Sequence, residues 1–216
     1  LNSKRYPSCL LTFDDGFISN FKIATEILVE TNIKAVFFVC PGLVDAPADE
    51  QPALIAKNIF KTEFSSRSLA KPDRMMSWDQ LRQLQNAGHA IGNHGMWHQR
   101  LSSLTPSECE IEIANGAKIL SREMREKTPW YAYPYGNIDS ITANAITAAR
   151  RHHKFCRSGI RGGNLTDQAR SGLLADQIDL NAPLGYWRFL LDGGFDFRYR
   201  SARERFFAMA QDSAEK

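Results

Sequence analysis

The feature that most constrains the fold is a regular alternation of short apolar runs with segments of helical periodicity. The apolar runs lie at residues 8–13, 35–40, 89–92, 130–135 and 155–160. Parallel strands need long crossover connections, and a helix is the usual one. The alternation therefore predicts an α/β fold with a mostly parallel sheet and right-handed crossovers, either open or closed as a barrel.

Local signals locate one helix more sharply than the others. Thr105 is a good capping residue, Pro106 suits the first helical position, and Glu108 stands three residues after the cap. A helix should begin there and run to about Met124. Further helix candidates are residues 21–28, 78–87, 138–151 and 202–210.

Two stretches give weaker signals. Residues 45–72 contain three prolines and several serines, which predicts a long excursion over the surface. After residue 163 the periodicity fades, and we expect strand character only at 177–180. These stretches are the least constrained parts of the predicted fold.

Length and composition are those of an ordinary globular chain. The 216 residues are 43% hydrophobic and 24% charged without an abrupt change along the chain, so we expect one domain over residues 1–216. No apolar run reaches the roughly 20 residues of a membrane-spanning helix, so we expect no transmembrane segment. A formal net charge of +3 from scattered Lys and Arg does not indicate a nucleic-acid partner.

The cysteines and the first residues leave the cellular compartment open. Cys9, Cys40, Cys109 and Cys156 lie far apart without a Cys-x-x-Cys pair, which indicates neither a disulfide framework nor a cysteine zinc site. Residues 1–7 lack the apolar segment of a signal peptide, and the first residue is not Met. We therefore assign neither a cytoplasmic nor an exported location, and the oligomeric state is equally open.

Two adjacent acids, Asp14 and Asp15, follow the first apolar run and precede Gly16. Parallel α/β folds gather their reactive groups at the carboxyl ends of strands, where these acids would lie. Successive side chains of an extended segment diverge, so one carboxylate can bind a metal while the other faces a substrate. A plain strand-to-helix turn explains the dipeptide alone equally well.

Two histidines, His94 and His98, follow the third apolar run. If residues 94–98 form one helical turn, both imidazoles lie on one side, at a separation that a single cation can bridge. Adding Asp15 gives two imidazoles and one carboxylate, a set that leaves positions open for water and substrate. This combination predicts a catalytic divalent metal rather than a structural one.

A third segment, WYAYPYG at residues 130–136, is by itself typical of an aromatic edge strand that ends in a turn. Together with TFDDG at 12–16 and HGMWH at 94–98, and in this order, it resembles the motifs of the NodB-type polysaccharide deacetylases, carbohydrate esterase family 4. The resemblance extends from about residue 9 to 163. It implies a distorted parallel (β/α) barrel, incomplete if its C-terminal strand is lacking.

The resemblance also implies roles for individual residues. Asp15, His94 and His98 would bind a divalent metal, most often zinc in this family. Asp14 would be the catalytic base that takes a proton from the attacking water. The backbone N–H of Tyr135 would stabilise the oxyanion.

The third motif departs from the family pattern at its first position. The family has an arginine there that orients the catalytic Asp, and this chain has Ala132. Arg157 or Arg161, near the end of the next expected strand, are candidates to supply the missing guanidinium. With Tyr133 and Pro134, these arginines are the residues that we expect on the substrate side of the site.

A second departure concerns the general acid. The family places a histidine on a strand near the end of the domain, and this sequence has none after His153. His152 and His153 follow two arginines at an expected helix end, where a solvated cationic cluster is favoured. We therefore expect a domain that lacks its C-terminal strand, with the general acid unidentified.

Three functions remain open from the sequence. The leading hypothesis is a metal-dependent hydrolase that removes N-acetyl groups from an N-acetylated amino sugar, in a polysaccharide or a glycan precursor. The second keeps the fold and the metal but hydrolyses another non-peptide C–N bond, in a small amide or cyclic ureide. The third is a non-catalytic carbohydrate-binding relative, which would bind sugar without releasing acetate.

Overall fold

The computed structural model describes residues 9–63, 74–164 and 172–212, and its centre is a parallel sheet. Within these residues, five strands pair in chain order: β1 (Leu11–Phe13), β2 (Ala35–Val39), β3 (Ala90–Asn93), β4 (Trp130–Ala132) and β5 (Phe155–Arg157). The sheet curls into an open half-barrel with helices packed on it, which confirms the expected incomplete (β/α) barrel. Because the strands all run in one direction, the residues that follow them meet on one edge.

Helices connect the strands. The first half contains α1 (Ile18–Ile23), which continues through a π-helical turn (Ala24–Leu28) and an α-helical turn (Val29–Thr31), then α2 (Pro41–Asp45), α3 (Gln51–Ile55) with its own π-helical turn (Ala56–Phe60), and α4 (Trp78–Asn86). The second half contains α5 (Pro106–Met124), α6 (Ala143–His152), α7 (Leu184–Leu191) and α8 (Arg200–Asp212), with short 3-10 turns at Leu101–Ser103, Ile138–Ser140 and Asp196–Tyr199. In the described part of the chain, no helix combines the length and apolarity needed to cross a bilayer.

Helix α5 begins where its capping signal predicts. The Thr105 hydroxyl accepts a hydrogen bond from the backbone N–H of Glu108 (3.3 Å), and the Glu108 carboxylate accepts one from the N–H of Thr105 (2.8 Å). The helix ends at Met124. The sequence prediction of this helix is confirmed at both ends. At its start, the capping box satisfies N–H groups that the first turn leaves unpaired.

Strand β2 is buried on both faces, as is usual for a strand covered by helices on one side and a barrel interior on the other. Phe37 and Val39 belong to a core cluster that joins the sheet to the helices of the first half. Val36 and Phe38 point to the opposite face, where they meet Ala132 of β4. A second core cluster packs β4 and β5 against α5, α6 and α8.

The expectation of strand character at residues 177–180 is wrong. These residues form a loop that ends in a turn, and Leu180 is 76% exposed. The Asp179 carboxylate accepts a hydrogen bond from the N–H of Asn181 (2.9 Å). A side chain that bonds the neighbouring backbone in this way competes with strand pairing.

The expected surface excursion at residues 45–72 is also wrong in its middle part. Residues 51–60 form α3 and its π-helical turn, in which Ile55 and Ala56 are buried. Pro52 stands in the first helical turn, where proline fits without breaking a hydrogen bond. Residues 64–73 of this stretch lie outside the described residues.

Candidate active site

The two acids after β1 leave the strand in a tight turn. Asp15 has a φ of 71° and Gly16 a φ of 86°, both in the left-handed region. The N–H of Gly16 donates to the carbonyl of Asp14 (2.9 Å), and a Cβ at position 16 would lie 2.9 Å from Cγ1 of Val39. Only glycine allows the turn to pack this closely against β2. The turn directs the two carboxylates to different partners.

His94 and His98 converge although the segment between them is not helical. After β3, the chain forms a loop with left-handed backbone at Gly95 (φ 79°) and His98 (φ 57°). The predicted helical turn is therefore wrong, because the Asn93 side chain accepts a hydrogen bond from the N–H of Gly95 (3.0 Å) and turns the chain away from a helix. The two imidazole rings still lie 4.9 Å apart between centroids.

Asp15, His94 and His98 form a candidate metal centre. One ligand atom from each residue lies within 4.8 Å of the other two. Nδ1 of His94 contacts the carbonyl of Ala132 (2.8 Å), and Nδ1 of His98 contacts the carbonyl of Asn58 (3.1 Å). A carbonyl only accepts, so each Nδ1 carries the hydrogen. Each Nε2 then directs a lone pair towards Asp15, from 3.6 Å and 3.4 Å respectively.

This donor set fits a bound cation. Two imidazole lone pairs and a carboxylate that face one another repel unless positive charge lies between them. Burial and then repulsion from His94 lower the pKa of His98 to about 3, so a proton on His98 does not supply that charge near neutral pH. Burial raises the pKa of Asp15 despite the opposing effect of His94. Two nitrogens and one oxygen with fixed tautomers suit a divalent transition metal.

Asp14 is held by Arg157, which reaches it from the end of β5. Nη2 of Arg157 contacts both carboxylate oxygens of Asp14. Burial alone would raise the pKa of Asp14, but the charge of Arg157, the two imidazoles and the Arg157 hydrogen bond outweigh burial, and the pKa is lowered. The guanidinium also lies over the ring of Phe38, 5.0 Å from its centroid. Asp14 is thus fixed beside the candidate metal centre in its ionised form.

The other residues expected on the substrate side are placed differently. Arg161 lies 3.5 Å from the carboxylate of Asp176, away from the two acids after β1. The Tyr133 side chain is 1% exposed and packs in the core against Tyr131, with ring centroids 5.1 Å apart. Alternation along the chain turns both tyrosines to the core and leaves a substrate no access to the Tyr133 ring. Pro134 is buried behind the loop that carries the histidines.

Tyr135 closes the site on the side of His98. Its backbone is left-handed (φ 63°), and its ring lies 4.6 Å from the His98 ring between centroids. Its hydroxyl donates to the carbonyl of Asn58, the same carbonyl that orients His98. Among the described residues, no acceptor faces the backbone N–H of Tyr135. In the described part of the chain, this N–H therefore has no hydrogen-bond partner.

One support of the histidine loop lies on α5 and was not predicted. Glu112 is 3% exposed, and its carboxylate accepts hydrogen bonds from the N–H groups of Trp97 (2.7 Å) and Gln99 (3.3 Å). Burial raises the pKa of Glu112, and these N–H groups oppose the rise. The sequence did contain a signal, because an acid beside Ile113 on the apolar stripe of α5 must find buried partners.

A second unpredicted support is the carbonyl of Asn58, on the π-helical turn after α3. It accepts hydrogen bonds from His98 and Tyr135 and so joins this turn to the site. A backbone carbonyl is present at every residue, so the sequence gives no signal for it. Single π-helical turns are frequent at functional sites, where they redirect backbone groups.

Comparisons with known proteins agree with this geometry. A family model described as polysaccharide deacetylase matches residues 2–152, which contain the candidate metal centre, Asp14 and Tyr135. The "Putative polysaccharide deacetylase YxkH" of Bacillus subtilis (strain 168) is 24% identical over 136 residues, which make up 63% of this chain and 39% of that protein. The chain thus spans about two fifths of the length of this curated relative.

Solved deacetylase structures share the fold. The Streptococcus pyogenes deacetylase PplD in complex with acetate superposes with a TM-score of 0.66 at 20% identity, covering 88% of this chain and 72% of that chain. The de-N-acetylase from Aggregatibacter actinomycetemcomitans gives a TM-score of 0.62 at 16% identity, covering 84% and 74%. The deacetylase domain of BpsB from Bordetella bronchiseptica gives 0.60 at 19% identity, covering 79% and 70%.

Proposed function

The chain belongs to the polysaccharide deacetylase family, and from this premise we propose that it hydrolyses the N-acetyl groups of an N-acetylated amino sugar in a polysaccharide or a glycan precursor. The observation that carries the proposal is that a possible set of metal ligands and a separate ionised carboxylate lie together at one edge of the sheet. The side chains of Asp15, His94 and His98 offer three converging ligand atoms beside Asp14, and Arg157 contacts the Asp14 carboxylate and lowers its pKa. A Lewis acid and a base that act together accelerate the hydrolysis of an unactivated amide, the first by stabilising developing negative charge and the second by taking a proton from water.

We assign the cation site to Asp15, His94 and His98, and propose zinc as its occupant because two imidazoles and one carboxylate match zinc preferences. When bound, the cation supplies positive charge that stabilises the oxygen atoms on which negative charge develops. Asp14 takes a proton from the attacking water as the water oxygen bonds to the acetamide carbon. The C–N bond then breaks, and that proton ends on the leaving amine, so that the products are acetate and a free amino sugar.

Two further groups of this chain act on the same step. The backbone N–H of Tyr135 donates to the carbonyl oxygen as it becomes an oxyanion, an interaction whose loss typically costs about a hundredfold or more in rate. Arg157 keeps the Asp14 carboxylate in one orientation and opposes its protonation. Tyr133 has a structural part in this scheme, since its ring lies in the core.

The test is acetate release from short N-acetylglucosamine oligomers by the purified protein, with and without added zinc. Asp14→Asn should lower release by at least about a hundredfold, the usual contribution of a general base. Asp49→Asn serves as the matched control, because Asp49 is an exposed carboxylate that has no part in the proposed site. This variant should retain full activity. Zinc-dependent release that Asp14→Asn leaves intact would contradict the assignment of the base.

The remaining hypotheses give different results in the same experiment. Release of ammonia or a carbamoyl product from small amides or cyclic ureides, without acetate release from oligomers, would favour hydrolysis of another C–N bond. Binding of oligomers without any product would favour a carbohydrate-binding relative. Zinc binding is followed separately by the melting temperature, which should rise with zinc for the native chain and not for Asp15→Asn.

A further inference from the structure

Two cations flank the ring of Tyr135 at the rim of the candidate site. Nζ of Lys61 lies 5.4 Å from the ring centroid, and the guanidinium carbon of Arg100 also lies 5.4 Å from it. The same ring contacts His98 of the metal centre, at 4.6 Å between centroids. Both positive charges are therefore placed beside the position where a substrate would meet the metal.

In the described parts of the chain, neither cation has a carboxylate partner. Among the described residues, no acidic oxygen lies within ion-pair distance of Lys61, and Arg100 donates only to the backbone carbonyl of Asp139 (3.4 Å). The Asp139 carboxylate is instead 3.5 Å from Arg205. Cations are usually balanced by acids or solvated on open faces, and among the residues that the structure describes no acid pairs with either of these two.

The acids of the site do not neutralise them. Asp14 is compensated by Arg157, and Asp15 faces the two imidazoles and, in our proposal, a divalent cation. Glu112 is buried below the histidine loop, where it accepts backbone N–H groups. Within the described residues, the two charged groups over the Tyr135 ring are therefore both positive, and no acid of the site neutralises them.

An exposed aromatic surface adjoins Lys61. Phe60, the preceding residue, is 47% exposed and stacks on Phe17, with ring centroids 6.1 Å apart and an interplanar angle of 9°. Half-exposed aromatic rings beside a polar group suit an apolar sugar face, which lies flat on such a ring. The chain therefore carries an exposed ring and a cation on consecutive residues, Phe60 and Lys61.

We infer that Lys61 and Arg100 form a subsite for an anionic group, a carboxylate or a phosphate, carried by the sugar next to the acetylated residue. This inference rests on the proposed function, because it names the substrate class of that same site. Exposed ion pairs each change affinity by about two- to fivefold, so two cations together should favour a charged substrate by about tenfold. The preference should weaken as salt is added, since the cations are near solvent.

The test compares three matched disaccharides that contain one N-acetylglucosamine unit, next to glucose, glucuronic acid or glucose 6-phosphate. We expect kcat/KM to be about tenfold higher for at least one charged disaccharide than for the neutral one, mainly through KM. The charged disaccharide with the higher kcat/KM shows whether a carboxylate or a phosphate is recognised. In the double variant Lys61→Gln and Arg100→Gln the preference should fall to within about twofold.

The control is Lys57→Gln, which removes an exposed cation from the π-helical turn that ends just before Lys61. This variant should keep the preference for a charged disaccharide. Lys61→Arg retains the positive charge and should therefore keep most of the preference for a charged disaccharide. Equal kcat/KM for all three disaccharides in the native chain, or a preference that survives the double variant, would overturn the inference. Calorimetry measures binding of the same three disaccharides and does not depend on acetate release. A binding preference for a charged disaccharide without acetate release would contradict the proposed function but not this inference.

Discussion

At the scale of single residues, Asp14 illustrates how two opposing effects act on one carboxylate. Burial disfavours its charge, while Arg157 and the imidazoles of His94 and His98 favour it, and the second group of effects is stronger. A base must be ionised to accept a proton, so a lowered pKa keeps Asp14 competent well into the acid range. A lowered pKa also makes a weaker base, and in the proposed mechanism a cation held by Asp15, His94 and His98 would offset this by making the attacking water more acidic.

Removal of the Arg157 charge should therefore change both rate and pH dependence. Arg157→Gln takes away the strongest lowering effect on the pKa of Asp14, so the acid limb of the kcat/KM profile should move to higher pH. Loss of orientation should lower kcat by about tenfold to a hundredfold. The measurement is acetate release as a function of pH.

Arg161→Gln is the matched comparison, since Arg161 lies on the same stretch of chain but pairs with Asp176. Its effect on kcat should be at least about tenfold smaller than that of Arg157→Gln, and the acid limb should not move. Equal effects of the two variants would show that Arg157 acts only through the stability of the fold.

At the scale of elements, three loops that follow strands carry left-handed residues at the site. Asp15, His98 and Tyr135 all have positive φ, with values of 71°, 57° and 63°. Such backbone costs roughly 1 kcal/mol or more for a residue with a side chain, and it persists only where the surroundings impose it. Glu112 on α5 is one source of that constraint, because it holds two N–H groups of the histidine loop.

Removal of the Glu112 carboxylate should loosen this loop. Glu112→Ala leaves the part-buried N–H groups of Trp97 and Gln99 without their acceptor, which should lower the free energy of unfolding by about 2 kcal/mol. Zinc affinity should fall as well, because His94 and His98 lose their relative placement. Urea denaturation and zinc titration measure the two effects.

The control for this change is Lys118→Ala on the exposed side of α5, which should alter neither quantity. Glu112→Gln, which keeps one oxygen acceptor, should have a smaller effect than Glu112→Ala on both. If Glu112→Ala lowered stability while zinc affinity stayed the same, α5 would support the fold but not the metal centre.

At the scale of the whole molecule, His153 connects the end of α6 to Asn93, the residue before the histidine loop. His153 is 5% exposed, so the expectation that His152 and His153 both belong to a solvated cluster is wrong. Of the two, His152 is the one that pairs with an acid, Glu110, at 2.6 Å. Nδ1 of His153 contacts the carbonyl of Ala149 (3.1 Å), and Nε2 lies 3.3 Å from the side-chain nitrogen of Asn93. The ring is therefore neutral, with Nε2 as the acceptor.

The free energy of unfolding should fall in mild acid because of His153. Burial lowers the pKa of His153 from 6.5 to about 4. The unfolded chain takes up a proton first, so stability is lost as the pH falls from about 6.5 to about 4, by up to about 3 kcal/mol. Urea denaturation at a series of pH values, with chelator present to remove metal effects, measures the slope.

The His153→Gln variant is the control for this dependence. It carries no titrating group at this position and should lose stability less steeply over the same pH window. The contributions of His89 and His98 are common to both proteins and cancel in the difference. An identical slope in native and variant chains would contradict the assignment of this titration to His153.

We also propose that residues 1–216 form one domain. The support is that both core clusters lie on the same sheet, one on its first strands and the other on β4 and β5. Helix α8 contributes Phe206 and Ala210 to the second cluster and so joins the last described segment to the rest. The family match ends at residue 152, and the last described segment extends the same core beyond it.

The sequence by itself determined the features that depend on local pattern. Alternating runs placed the strands and most helices, a capping box placed the first residues of α5, and the order of the motifs identified the family. It also indicated that Asp15, His94 and His98 lie on one side of the fold, since residues that follow the parallel strands of one sheet share its carboxyl edge. These features depend on periodicity and direction, which neighbouring residues encode.

Only the tertiary structure decided the contacts that join distant parts of the chain. Arg157 and Arg161 are equal candidates in the sequence, and the choice of Arg157 follows from a contact across 143 positions. The orientation of His98 by the carbonyl of Asn58 has no sequence signal, and the burial of Tyr133 depends on which face of the chain meets the core. The physical reason is that side-chain direction and backbone hydrogen bonds are set by packing between elements, which local propensity does not specify.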